Sequence, residues 1–212
     1  YVVYQNHHLL GVEVVVPPGS GAEASEDGGD AIGRLIGAGQ IDEALELAYE
    51  AQRTAPDDVR INARYHKLLA LAGREDRLMS HARIYLALLL RKGLADEALT
   101  LFDELRQRDA AFTPEQPTHL LRLAEALRRR RRFNEALLLI KGFDKRFPRH
   151  AEIPTVYLFA AQVLSENLHQ DAGAQQLLNV LLARYPDHPT NVEARQLLTV
   201  IERTQAQNLA KR

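Results

Sequence analysis

Asp42-Glu43-Ala44-Leu45 reads DEAL, Asp96-Glu97-Ala98-Leu99 repeats it, and Asn134-Glu135-Ala136-Leu137 reads NEAL. In each box the acidic residues suit the positive N-terminal end of a helix. The alanine permits close approach of a partner helix. The leucine continues an apolar stripe. Each box therefore opens one helix of a repeated unit. Twelve residues beyond Ala44 stands Pro56, and twelve beyond Ala136 stands Pro148. The same count picks out a disguised fourth copy, in which Ala174 leads to Pro186. Only Ala98 breaks the rule, leading to Ala110 with proline delayed to Pro114. The four anchors are 54, 38 and 38 residues apart, and the last two copies share the endings Arg146-Phe147-Pro148 and Arg184-Tyr185-Pro186.

Outward from the boxes, the sequence after Asp30 is dominated by Ala, Leu, Glu, Arg and Gln, all good helix formers. Breaks fall at Gly37-Ala38-Gly39, Pro56-Asp57-Asp58, Gly73, Gly93, Pro114 to Pro117, Pro148 and Pro186 to Pro189. The segments between them have the length of helices rather than strands. An all-α chain is expected. A single helical hairpin cannot cover its own apolar face, so neighbouring hairpins must stack.

These features resemble the tetratricopeptide repeat (TPR) family, whose 34-residue unit is an antiparallel helix pair with small residues at fixed packing positions and a closing proline. Setting each anchor alanine in that register gives units at 25–58, 79–112, 117–150 and 155–188. The third fits best, with Leu120, Leu123, Ala124 and Leu127 in its first helix and Ile140, Phe143 and Pro148 in its second. The first has Gly28 in place of a large residue, and the fourth has Gln162 in place of a small one. The 38-residue spacing and the RFP and RYP endings resemble the longer-looped repeats of bacterial envelope proteins, the BamD-like and TolA-binding families. The 54-residue gap predicts an extra helix from Val59 to Ala72, wedged between the first two units. Asn191 to Gln205 is expected to form a cap helix with Val192, Leu197, Leu198 and Ile201 on one side.

The fold class expected is thus an α-solenoid of helix hairpins over residues 30–205, preceded by a tail at 1–29 and followed by a disordered 206–212. Within the tail, Pro17 to Asp30 (PPGSGAEASEDGGD) holds no large apolar residue and reads as a flexible linker. Neither apolar stretch before it approaches the roughly 20 residues that span a bilayer. The chain begins at Tyr1 rather than Met, and we expect the stub to follow a membrane segment, which would make the repeats a bacterial domain tethered to the inner membrane.

Lys plus Arg number 27 and Asp plus Glu 28, so global charge gives no attraction to nucleic acid or anionic membrane. The absence of cysteine removes disulfides, thiolate nucleophiles and Cys-based zinc sites. The eight histidines form no HExxH and no i, i+4 pair, and no GxSxG, Walker loop or GxGxxG occurs. No enzyme activity, cofactor or metal is expected.

Arg128 to Arg132 are five consecutive arginines at a helix end. They read either as a basic end complementing the helix dipole or as an anion site, since Arg pairs bidentately with carboxylate and phosphate. Nucleic acid is disfavoured because no stacking aromatics interleave the run. The TPR resemblance implies that first helices line a concave groove. That places Ser80, Arg83, Ile84, Ala87, Leu90 and Arg91 of the second unit in it, with Thr118, Leu121, Arg122, Glu125, Arg128 and Arg129 of the third and Val156, Phe159, Ala160 and Val163 of the fourth. The Lys and Asn pattern of the family's carboxylate clamp is not matched. The expected function is a protein-interaction scaffold that binds a peptide, helix or subunit, self-association included, or a docking domain of a larger membrane protein or enzyme.

Overall fold

The computed structural model describes residues 26–210, with side chains described over 31–208. The predicted stub, most of the linker and the last two residues lie outside that range. The described chain is α1 (Glu26–Gly37), α2 (Ile41–Thr54), α3 (Val59–Leu71), α4 (Glu75–Arg91), α5 (Ala95–Arg108), α6 (Pro117–Arg129), α7 (Phe133–Ile140), α8 (Phe143–Arg146), α9 (Ile153–Gln162), α10 (Asp171–Arg184) and α11 (Asn191–Ala210). A π-turn, Val163–Asn167, extends α9. No strand occurs among the described residues, and no described helix is long and apolar enough to cross a membrane.

Consecutive helices pack against one another from α1 to α7 and again from α9 to α11, and α4 also packs on α6 and α9 on α11. All four anchor alanines, Ala44, Ala98, Ala136 and Ala174, are fully buried. Each is the fourth residue of its helix, as are the buried Leu78 of α4 and Ala194 of α11. Replacing Ala136 with Leu would force a larger, branched side chain into a fully buried contact. We expect a loss of about 1–3 kcal/mol, read as a lowered urea midpoint.

Five residues before each of these positions except Ala194, the chain makes the same tight turn. Gly39, Gly73, Gly93, Arg131 and His169 all have positive φ, between 55° and 75°. The next amide reaches back to a leucine carbonyl: Gln40 to Leu35, Arg74 to Leu69, Leu94 to Leu89 and Arg132 to Leu127, all at 2.9–3.0 Å. This is the Schellman closure, in which a left-handed residue lets the chain reverse while helix-end carbonyls stay bonded. In the fourth hairpin Gln170 reaches one residue further back, to Leu164, because the π-turn inserts one residue.

The predicted extra helix is α3, and it packs between α2 and α4. Leu78 stands 34 residues after Ala44, so the 54-residue gap divides into a full repeat step and a single-helix step of 20. Helix α4 therefore closes one hairpin with α3 and opens the next with α5. Loops after the prolines are clamped by buried asparagines. Asn62 Nδ2 donates to the Pro56 and Asp58 carbonyls at 2.9 and 2.7 Å, and Asn191 Nδ2 donates to those of Tyr185 and Pro186 at 2.6 and 2.7 Å.

Several expectations need correction. The second helix of the third hairpin is not continuous: Gly142, at φ 68°, breaks it between α7 and α8. On the cap helix, Val192 is 63% exposed, and the packed side is made by Ala194, Leu197, Leu198 and Ile201 instead. That helix also runs to Ala210, past Gln205 and into the segment expected to be disordered.

Candidate functional site

The first helices of the later hairpins, α4, α6 and α9, stand side by side. The Arg122 guanidinium donates to the Leu90 carbonyl at 2.8 Å, joining α6 to α4. Arg128 joins α6 to the end of α9, donating to Glu166 at 2.6 Å, Asn167 at 3.0 Å and Gln162 at 3.3 Å. Two clefts open along this row.

The α4–α6 cleft, of about 360 Å³, is lined by Arg83, Ile84, Ala87 and Arg91 of α4, by Phe112, Pro114 and Glu115 of the loop before α6, and by His119. Ile84 is 59% exposed. Arg83 pairs with Glu115 at 2.9 Å and lies over the Phe112 ring, while Arg91 pairs with Asp57. Burial, helped by the Arg122 charge, pushes the His119 imidazole below its ordinary value. It therefore faces the cleft neutral at pH 7.

The α6–α9 cleft, of about 710 Å³, is lined by Glu125, Arg128, Arg129, Arg131, Phe133, Phe159, Gln162, Glu166, Asn167 and His169. Phe159 forms its apolar floor, beneath the Arg128 guanidinium. Of the sequence-predicted groove residues, Arg83, Ala87 and Arg91 meet in the first cleft and Glu125, Arg128, Arg129 and Phe159 in the second. Arg122 is exposed between them.

Leu121 and Val163 do not belong to a groove surface, and neither do Leu90 and Val156; all four are buried. First helices pack directly on one another, which takes Leu90 and Leu121 inside. The π-turn begins at Val163 and turns it wholly into the core. Counting from the boxes missed Phe112, Pro114 and Glu115, because the delayed proline hid how that loop folds over α4. It also missed Arg131 and His169. Their signal was present: both stand five residues before an anchor alanine, where the earlier turns carry glycine.

The arginine run divides cleanly. Arg130 pairs with Asp96 of the second DEAL box at 2.9 Å, as Arg74 pairs with Asp42 of the first at 3.0 Å. Arg132 bridges Asp103 at 2.6 Å and Glu135 at 2.7 Å. The hydrogen bond from Arg132 holds the Glu135 carboxyl below its ordinary value. Arg128 is tied to Glu166. Arg129 and Arg131 are exposed and pair with no carboxylate among the described residues. No metal-holding cluster of His, Asp and Glu occurs among the described residues.

A third, more apolar cleft of about 710 Å³ lies where α7 and α8 part, with Leu138, Ile140, Tyr157, Leu164 and Leu177 around it.

These features define an all-α helical-hairpin repeat protein, tetratricopeptide-like in the 34-residue step from Ala44 to Leu78, its buried anchor alanines and its stacked pairs. No family model matches the chain, and no curated protein matches it. Among solved structures it is similar to YrrB, a TPR protein with an unusual peptide-binding site, at 11% identity over 82% of this chain and 93% of that one, with a TM-score of 0.42. It is similar to MamA AMB-1 at 15% identity over 77% of this chain and 93% of that one, TM-score 0.38. It is also similar to MamA from Desulfovibrio magneticus RS-1, at 15% identity over 87% and 98%, TM-score 0.32. At these scores the architecture rests on this chain's own helices and turns.

Proposed function

We propose that the chain is a protein-interaction scaffold whose adjoining first helices receive a peptide, a helix or a neighbouring subunit. The observation that carries this reading is the α4–α6 cleft, where Ile84 stands 59% exposed among charged groups that are only loosely committed. Exposed ion pairs such as Arg83–Glu115 contribute about 0–1 kcal/mol. A partner can therefore replace Glu115 on Arg83 at little cost. Covering the remaining exposed surface of Ile84 would add about 1–2 kcal/mol, the contribution expected of an apolar anchor inside a polar rim.

A photo-crosslinking residue placed at Ala87 in the native host tests this. We expect it to trap a defined partner band, and the double substitution Arg83→Glu and Ile84→Asp to remove that band. Because both side chains are exposed and Arg83 gives up only a surface ion pair and a ring contact, folding stability should fall by no more than about 2 kcal/mol. An unaltered band in the double variant would sink the assignment.

A further inference from the structure

We propose that the α6–α9 cleft binds an acidic peptide segment, with Arg129 and Arg131 engaging its carboxylates and Phe159 and Phe133 receiving an adjoining apolar side chain. This rests on the scaffold reading and extends it to a named ligand chemistry and a second site.

Three independent features meet in this cleft. The first is the choice of turn residue. Gly39, Gly73 and Gly93 fill the left-handed position in the earlier hairpins, whereas the third and fourth use Arg131 (φ 59°) and His169 (φ 55°). Left-handed backbone disfavours side chains that carry a Cβ. Nothing in the turn itself calls for Arg or His, since glycine closes the same hydrogen bonds elsewhere. Both side chains line one cleft.

The second feature is the π-turn. Inserted residues of this kind concentrate at binding sites. Here the turn carries Glu166 and Asn167 to Arg128 and so fixes one wall of the cleft.

The third is the division of the arginines. Arg128, Arg130 and Arg132 are satisfied by Glu166, Asp96, and Asp103 with Glu135. The two without such partners among the described residues are the two others that line the cleft.

The charge balance selects a peptide over a polyanion. Three arginines face the cleft, but Glu125 and Glu166 face it too, leaving a small positive excess. A phosphate backbone or an anionic membrane carries charge at every unit and must bring some of it against Glu125 and Glu166 as well. A short acidic segment can place its carboxylates on Arg129 and Arg131 and its apolar side chain on the Phe159 floor.

The test is fluorescence anisotropy of the full chain with a labelled peptide Asp-Glu-Phe-Asp-Glu, against its uncharged counterpart Asn-Gln-Phe-Asn-Gln. We expect saturable binding of the acidic peptide and at least tenfold weaker binding of the neutral one. Arg129→Ala combined with Arg131→Gly should weaken the acidic peptide at least tenfold while the melting temperature holds or rises, because glycine suits the turn. Arg60→Ala, an exposed change on α3, should leave binding unaltered. Competition by inorganic phosphate or a uridine oligonucleotide should be weak.

Equal affinity for the two peptides, full binding by the double variant, displacement by the oligonucleotide, or no saturable binding of the acidic peptide would each overturn the proposal. The scaffold reading fails separately, through the Ala87 crosslink on the other cleft.

Discussion

Acidification from about pH 7 toward pH 4 is expected to strip roughly 3 kcal/mol from the folding stability through His81 alone. His81 on α4 is 6% exposed, and so is His66 on α3; their ring centroids are 5.9 Å apart. Around them stand Asn62 and Tyr65 of α3, Tyr85 of α4, and Glu104 and Arg108 of α5. Asn62 spends its amide hydrogens on two backbone carbonyls, so its Oδ1 accepts from His81 Nε2–H at 3.0 Å. This fixes the neutral tautomer and leaves His81 Nδ1 buried with no partner. Burial pushes the His81 imidazole down to about 4, and the neighbouring His66 adds to the effect. Burial also lowers His66, assisted by Arg108 and opposed by Glu104, whose carboxylate is 3.5 Å away.

The sign follows from proton binding. The unfolded chain takes up protons on both histidines near pH 6.5; the folded chain resists at both, and at His81 until about pH 4. Their contribution is complete above about pH 6.5 and is lost as pH falls through that window. Urea midpoints across the range will show the loss, and the His81 ring resonances should remain those of a neutral imidazole until near pH 4. The substitution His66→Phe should make the acid limb shallower by removing the His66 share and leave the His81 share in place. A midpoint that does not move with pH would refute the assignment. The pair sits where α3, α4 and α5 meet, so acid weakens the stack at its irregular step.

How far the sequence reveals this molecule depends on whether a feature is local. The anchor alanines and closing prolines act within one turn of helix, and they located α2, α5, α7 and α10 correctly. The shared role of α4 was hidden because its anchor is Leu78, a large residue in a position otherwise held by alanine. Groove positions were counted on the assumption of straight first helices, and the π-turn after α9 defeats that count at Val163. The five arginines announce themselves in sequence. Which of them are free is set by Asp96, Asp103 and Glu166, residues 29 to 38 positions away from the arginines they hold.

Phe143→Ala is expected to cost about 3–5 kcal/mol, among the largest single losses available in the chain. Gly142 breaks the second helix of the third hairpin at φ 68° and restarts it one residue later. The restart points Phe143 into the core, where it is 1% exposed. There it meets the Phe147 ring at 5.1 Å and the edge of His150 at 5.7 Å. Both belong to the connection toward α9, so the ring joins the third hairpin to the fourth. Truncation leaves a cavity that the broken helix cannot close, because the buried Ile140 side of α7 is held by its own packing. In a stacked array each hairpin is supported through its neighbour interfaces. The loss should therefore fall on α9 to α11 first, with hydrogen exchange accelerating there before it does in α2 to α5. Uniform acceleration along the whole chain would instead mean that the array unfolds as one unit. Gly142→Ala is the milder companion: open space surrounds its Cβ, so only the left-handed backbone resists. About 1 kcal/mol is expected from that strain, and a substantially larger loss would mean that the break itself, rather than the ring it positions, holds the two hairpins together.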